Sequence, residues 1–244
     1  MRNIAIIAKR EFKGYFATPL ALVFIVIFLA LTGAFAFYVG NFFGRGYADL
    51  SPFFAYHPWL FLLLVPAIGM RLWAEERKSG TIELLMTLPV STLDAVLGKF
   101  FAAWAFCGLA LALTFPMWIT VNMLGDPDNG IIVTSYIGSF VMAGAFLSIS
   151  ACISSLTKNQ VIAFIIAATV CFLFTMSGAQ LVLNFFQGWA PDVLVDALRS
   201  MSFLTHFSAV TQGVIDMKDV VFFGSLIVMW LFLNIIAVEI NKGR

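Results

Sequence analysis

Eight charged side chains fall between Arg71 and Lys99: Arg71, Glu75, Glu76, Arg77, Lys78, Glu83, Asp94 and Lys99, from a chain total of 14 basic and 13 acidic residues. Acids and bases at that density can pair with each other or dock a charged partner, but they hold no couple of nucleophile and general base. Chemistry is equally sparse elsewhere. His57 and His206 are the only histidines and cannot form a His-x-x-x-His zinc site; each is expected to be a solvated or capping residue. Cys107, Cys152 and Cys171 all sit in apolar runs and are odd in number, so they read as small buried hydrophobes with neither a disulfide nor a metal site. A phosphate loop is missing: Gly98-Lys99 is followed by Phe100, and no glycine stands five residues before Gly98. No catalytic, cofactor-binding or metal-binding residue is expected in this chain, and no nucleic-acid partner.

The elements that must position the charged stretch are apolar. Of 244 residues 61% are hydrophobic and only 11% charged, and the mean hydropathy is +0.98. Too little polar surface remains to cover a soluble globule, since an ordinary domain is about one quarter charged. The expected fold is all-α, a single polytopic membrane domain over 1–244 with six transmembrane helices at about 19–39, 56–73, 100–121, 132–156, 161–183 and 220–238. The first run is long enough for a hydrocarbon core; Ala34-Phe35-Ala36 resembles a signal-peptidase site, but the run is too long for a typical signal. Ahead of it, 1–18 forms an interfacial amphipathic helix in contact with membrane lipid. On a helical wheel Ile4, Ala5, Ile7, Ala8, Phe12, Tyr15 and Phe16 share one side and Arg2, Lys9, Arg10 and Lys13 the other, with Ile6 and Glu11 breaking the pattern. No span carries a charge away from its ends, which argues against an ion-coupled carrier. Small residues in the fourth span, among them Gly138, Gly144, Ser148 and Ala151, favour close helix packing.

Lysine and arginine are unevenly shared between the connections. The 1–18 segment, the 74–99 connection with its flanks, the short turn 157–160 and the tail hold 11; the other face holds only Arg45, Arg199 and Lys218. The positive-inside rule therefore places both termini and the charged stretch in the cytoplasm of a bacterial inner membrane protein. Within that stretch Gly80 ends one helix, and Pro89 ends a short apolar one built from Ile82, Leu84, Leu85, Met86 and Leu88 around Glu83. Ser91 precedes Asp94 by three residues, an N-cap signature for the helix leading into the third span. The short helix either turns the chain at the interface or docks a cytoplasmic protein. On the opposite face, 184–219 is expected to form outer re-entrant helices, Asp192 to Met201 and Phe203 to Ile215, too short to span.

Glu75-Glu76-Arg77-Lys78-Ser79-Gly80-Thr81-Ile82-Glu83-Leu84-Leu85, then Thr87-Leu88-Pro89-Val90-Ser91, resembles the signature of type 2 ABC exporter (ABC-2) permeases. His206-Phe207, Gly213-Val214-Ile215-Asp216 and Asp219-Val220-Val221 make the chain most similar to the gliding-motility and nitrous-oxide-reductase maturation permease group. The resemblance implies a permease subunit that pairs with a second copy or a similar permease, and with a dimer of ABC ATPase subunits that hold ATP and magnesium. It assigns ATPase coupling to a helix over Gly80 to Leu88 with Glu75, Glu76, Arg77, Gly80, Thr81, Glu83, Leu84, Leu85 and Pro89. Glu75, Glu76 and Glu83 would meet basic groups of the ATPase or of the N-terminal helix. A second, smaller contact falls on Lys158 and Asn159. Some relatives work with a membrane-anchored accessory protein carrying an extracytoplasmic domain, which the outer helices could receive. The alternative role is a non-transporting subunit that conveys ATPase-driven motion to such a partner.

Overall fold

A computed structural model describes residues 2–46, 48–81, 90–187 and 190–241, and no strand occurs among them. The chain opens with α1 (Arg2–Phe16) and α2 (Pro19–Ala34), the latter running on through a π turn at Phe35–Val39. A short α3 (Ser51–Ala55) leads to α4 (His57–Gly69) and α5 (Arg71–Ser79). Next come α6 (Thr92–Ala112), α7 (Phe115–Leu124), α8 (Asn129–Leu156) and α9 (Gln160–Met176). The last are α10 (Gln180–Gln187), α11 (Asp192–Ser200), α12 (Phe203–Val210) and α13 (Met217–Asn241). Local chemistry explains several starts. Prolines occupy the first turns of α2, α3, α4 and α7, where a missing N–H costs nothing. The Ser91 hydroxyl accepts from the Asp94 amide at 3.1 Å, the cap expected from their spacing.

Among the described residues five helical stretches are long and apolar enough to cross a membrane: Ala21–Val39, His57–Ser79, Thr92–Leu124, Asn129–Leu156 and Met217–Asn241. A sixth exists if Gln160–Met176 and Gln180–Phe186, bent 75° apart, count as one. The fifth expected span is thus broken where a single helix to 183 was predicted. Ser177-Gly178 is a local breaker signal, and a Cβ on Gly178 would lie 2.5 Å from Ser202, so the start of the helix at Phe203–Val210 occupies the space a continuous span would need. The second span also differs: its helix runs past 73 as far as Ser79, with a turn at Met70.

Helix α8 is the hub, with buried residues along almost its whole length. Small residues set its distances to neighbours, as their positions predict. Added methyl groups would collide with Ser150 from Gly69, and would meet Trp104 from Gly144 at 2.9 Å and Val210 from Gly138 at 2.5 Å. Ser135, Ser148, Ser150 and Ser155 donate to carbonyls one turn back, as Ser150 does to Phe146 at 2.7 Å. Ser154 differs. Its hydroxyl accepts from the Trp73 and Ala74 amides at 3.1 and 3.0 Å and donates to the Met70 carbonyl at 2.7 Å. First-turn amides of a helix have no partner of their own, so this one side chain seals the α4–α5 junction.

The apolar stripe of α1 packs lengthwise on the first half of α6. Ile7 lies over Gly98, whose Cβ would come within 2.6 Å of it, and Tyr15 stacks on Phe106 at 5.0 Å between ring centres. Glu11 shares that packed face with Ile7 and Tyr15, one helical turn from each. Ile6 and Phe16 remain exposed.

Replacing Ser154 by alanine removes the acceptor of two buried amides and the donor to Met70. The expected loss is about 2–4 kcal/mol, read as a lowered unfolding midpoint of the solubilised protein, whereas Ser148→Ala, which removes a bond within its own helix, should change it little.

Candidate functional site

At one end of the bundle the charged stretch is anchored rather than loose. Lys99, near the start of α6, is only 3% exposed, and its Nζ lies 2.7 Å from Glu76 Oε1 on α5 and 3.4 Å from Glu11 Oε2 on α1. The same Nζ stands 5.4 Å from the ring centre of Trp73, itself fully buried on α5. One ammonium therefore joins three helices through two carboxylates and an aromatic face. Glu76 Oε2 is also buried and has no hydrogen-bond partner among the described residues.

A second anchor sits one residue on. Arg77 donates to the Ser155 carbonyl at 2.5 Å, at the end of α8, and to Asn241 Oδ1 at 3.2 Å, at the end of α13. Asn241 in turn donates to the Ser155 and Ala237 carbonyls. The guanidinium thus satisfies a terminal carbonyl of one span and ties in another.

Glu75 pairs with Arg71 on its own helix at 2.8 and 3.1 Å, and both are more open to solvent than the Lys99 cluster. Gly80, at φ +74°, closes α5 in the left-handed conformation that glycine adopts without strain. Beyond it, the Thr81 hydroxyl lies 2.9 Å from that of Ser79, and both residues are exposed. Glu83, Leu84, Leu85 and Pro89, with the rest of the predicted helix to Leu88, lie outside the described residues.

The carboxylates were expected to meet basic groups of the ATPase or of the N-terminal helix. Within the chain Glu76 instead meets Lys99 of α6, and α1 contributes an acid, Glu11, to the same cation. Lys9, Arg10 and Lys13 are exposed on the other side of α1, which begins at Arg2, and Arg10 pairs with Glu11 at 2.7 Å. In the turn 157–160, Lys158 is exposed, while Asn159 caps α9 by accepting from the amides of Val161 and Ile162 at 2.9 and 3.4 Å.

Two features escape the sequence. An apolar cavity of about 440 Å³ lies beside α5, lined by Tyr15, Phe24, Ile27, Leu64, Ile68 and Phe106, with Arg71 in its wall. Both histidines are buried, not solvated. His57 is fully enclosed by Phe28, Phe53, Phe54 and Phe61, with Nδ1 2.9 Å from Ser139 Oγ. The signal was present in Phe53, Phe54 and Phe61, one helical turn to either side. No cluster of three or more potential metal ligands occurs among the described residues.

Long apolar helices around a buried small-residue span, with charge gathered at one end, define a multi-pass membrane protein. The chain belongs to the ABC-2 transporter family: the family described as ABC-2 family transporter protein matches residues 5–238. No curated protein matches it. Membership makes the chain a membrane permease subunit of a kind that works with an ABC ATPase.

The Glu11 carboxyl gives the cluster a pH signature. Burial opposes its charge, but Lys99 and Arg10 prevail and hold it below its usual value of 4.5. A carboxyl lowered on folding stabilises the docked state above its unfolded value and ceases to do so as pH falls through the folded one. A spin label on exposed Ala5→Cys should stay immobilised at and above pH 4.5 and become mobile only as pH falls below that value. Mobility unchanged by that fall would show that Glu11 does not hold α1 down.

Proposed function

We propose that this chain is the transmembrane half of an ABC-2 exporter of the bacterial inner membrane, with both termini in the cytoplasm. It pairs with a second copy or a similar permease and receives motion from a dimer of separate ATPase subunits that bind ATP and magnesium. The segment from Glu75 to Pro89 is the coupling element: Gly80, Thr81, Glu83, Leu84, Leu85 and Pro89 meet the ATPase, and Glu76 and Arg77 pass its displacement inward. Lys158 makes the smaller second contact. Lys9, Arg10 and Lys13 face anionic head groups at the membrane surface. The signature motif favours the gliding-motility and nitrous-oxide-reductase maturation group within the family.

The observation that carries this reading is the anchoring of α5. A helix leading out of the bundle could be a slack connection, but here adjacent residues fasten it to different neighbours. Glu76 ties it to α6 and α1 through Lys99, and Arg77 ties it to the ends of α8 and α13. A push on such a helix moves four neighbours together, the rigid-body kind of change that alternating access needs. Arg71 and Ile68 also line the apolar cavity, so a shift of the α4–α5 rod reshapes a space suited to an apolar or amphipathic cargo.

The test is co-purification and ATP turnover of the solubilised complex, comparing the native chain with Glu83→Lys and with residues 80–88 replaced by a glycine–serine linker. The expected outcome is an ATPase that accompanies the native chain and is lost or uncoupled in both variants. An ATPase retained and stimulated equally by all three would remove the coupling role from this segment.

A further inference from the structure

The end of the bundle away from Arg77 holds another buried titratable pair, distinct from the coupling cluster. His206 on α12 is 9% exposed, and Asp219 at the start of α13 is 3% exposed. Nδ1 of His206 lies 2.5 Å from Asp219 Oδ1, and Nε2 lies 2.9 Å from the carbonyl oxygen of Ser200, the last residue of α11. The ring stacks on Phe222 at 4.1 Å between centres, which fixes its plane and keeps both nitrogens on these oxygens.

The arrangement fixes a proton count. A carbonyl oxygen can only accept, so Nε2 carries a hydrogen. The contact between Nδ1 and Oδ1 then needs one further proton, on the nitrogen or on the carboxyl, because without it two lone pairs face each other. Asp219 has no other donor to turn to: its Oδ2 is buried and has no hydrogen-bond partner among the described residues.

We propose that His206, Asp219 and the Ser200 carbonyl form a binding site for a single proton, which latches the helix pair α11–α12 to the last span. With the proton bound, histidine bridges α11 and α13 and the contact holds. When the proton leaves to solvent, a buried carboxylate and an imidazole lone pair are left facing each other, which is costly to keep dry. The strain is relieved by α12 moving off α13 and admitting water to Asp219. α12 is well placed to move as a unit, since Gly213, at φ +80°, and the turn after Val210 separate it from α13.

The surrounding charges leave the pair as the responsive group. On α11, Asp192, Asp196 and Arg199 are exposed. Ahead of and within the first turn of α13, Asp216 and Lys218 pair with each other at 3.0 Å and face solvent. The helices packed on α12 present Gly138 and Phe146 from α8 and Thr175 from α9. The nearest titratable side chains on those two helices are Tyr136, turned towards Phe54 and Trp118, and Cys171.

The inference does not depend on the permease reading and is tested on the purified full-length chain in phospholipid nanodiscs. Hydrogen exchange of residues 192–210 would be followed from about pH 5 to about pH 9 and corrected for intrinsic chemistry. The native chain should lose protection by about tenfold or more as pH rises, over the same interval in which ring-¹⁵N labelling, easily assigned with only two histidines, reports proton loss at His206. Asp219→Asn separates a latch from a merely structural contact: its amide can donate to Nδ1 of a neutral imidazole, so protection should stay high and flat with pH. His206→Phe should be flat and low. Native exchange that does not vary with pH, or an Asp219→Asn profile that follows the native one, would overturn the proposal.

Discussion

A lysine ammonium cannot be left dry, and near the head of the third span Lys99 is almost completely enclosed. It is tolerable there because Glu76, Glu11 and the Trp73 face surround it. Those partners come from α5 and α1, so burial of one cation requires three helices to arrive together. The N-terminal helix, the rod that extends the second span and the start of the third span are thereby made one unit. Arg77 extends that unit to the ends of α8 and α13. Ion pairs of this kind add little net stability compared with apolar replacements; what they supply is a fixed relative position. Positional specificity is what a coupling segment needs from its mounting.

The apolar interior is built to keep that mounting stiff. α8 brings its neighbours close through small residues, so displacement of the α4–α5 rod is met at Gly69 by the short Ser150 side chain and not by long, yielding side chains. Ser154 occupies the one place where the rod turns, at Met70, and joins both halves to α8. At the far end α12 closes against α8, with Phe203 on Phe146 at 4.7 Å. The two ends thus differ in character: ion pairs and capped carbonyls at one, and a histidine–aspartate contact among aromatic rings at the other.

Much of this was legible in the chain itself. The apolar character of the spans, the Ser91 cap and the helix following Pro191 all follow from local composition and spacing, and the cap and that helix appear where expected. What escaped was decided by residues distant in sequence. Glu11 breaks the wheel of α1 because its partner lies on α6, and no local rule names Lys99. Ser154 resembles the other serines of α8 until the gap at Met70 is seen. The bend after Met176 was foreshadowed by Ser177-Gly178, yet only the presence of Ser202 and Thr205 against Gly178 shows why the fifth span stops there. His57 was misjudged because a lone histidine near a span end usually meets water, and here four phenylalanines exclude it.

The Lys99–Glu76 contact is proposed to act as a mechanical joint and not as an incidental surface pair. A double-mutant cycle on ATP turnover of the assembled complex tests this most directly, using Lys99→Met, Glu76→Gln and the two together. If the contact transmits motion, each single change should lower turnover sharply, and the double change should cost no more than either single one, with a coupling energy of about 1–3 kcal/mol. Additive effects with coupling near zero would contradict it, and α5 would then be no more than a tether between the bundle and its partner.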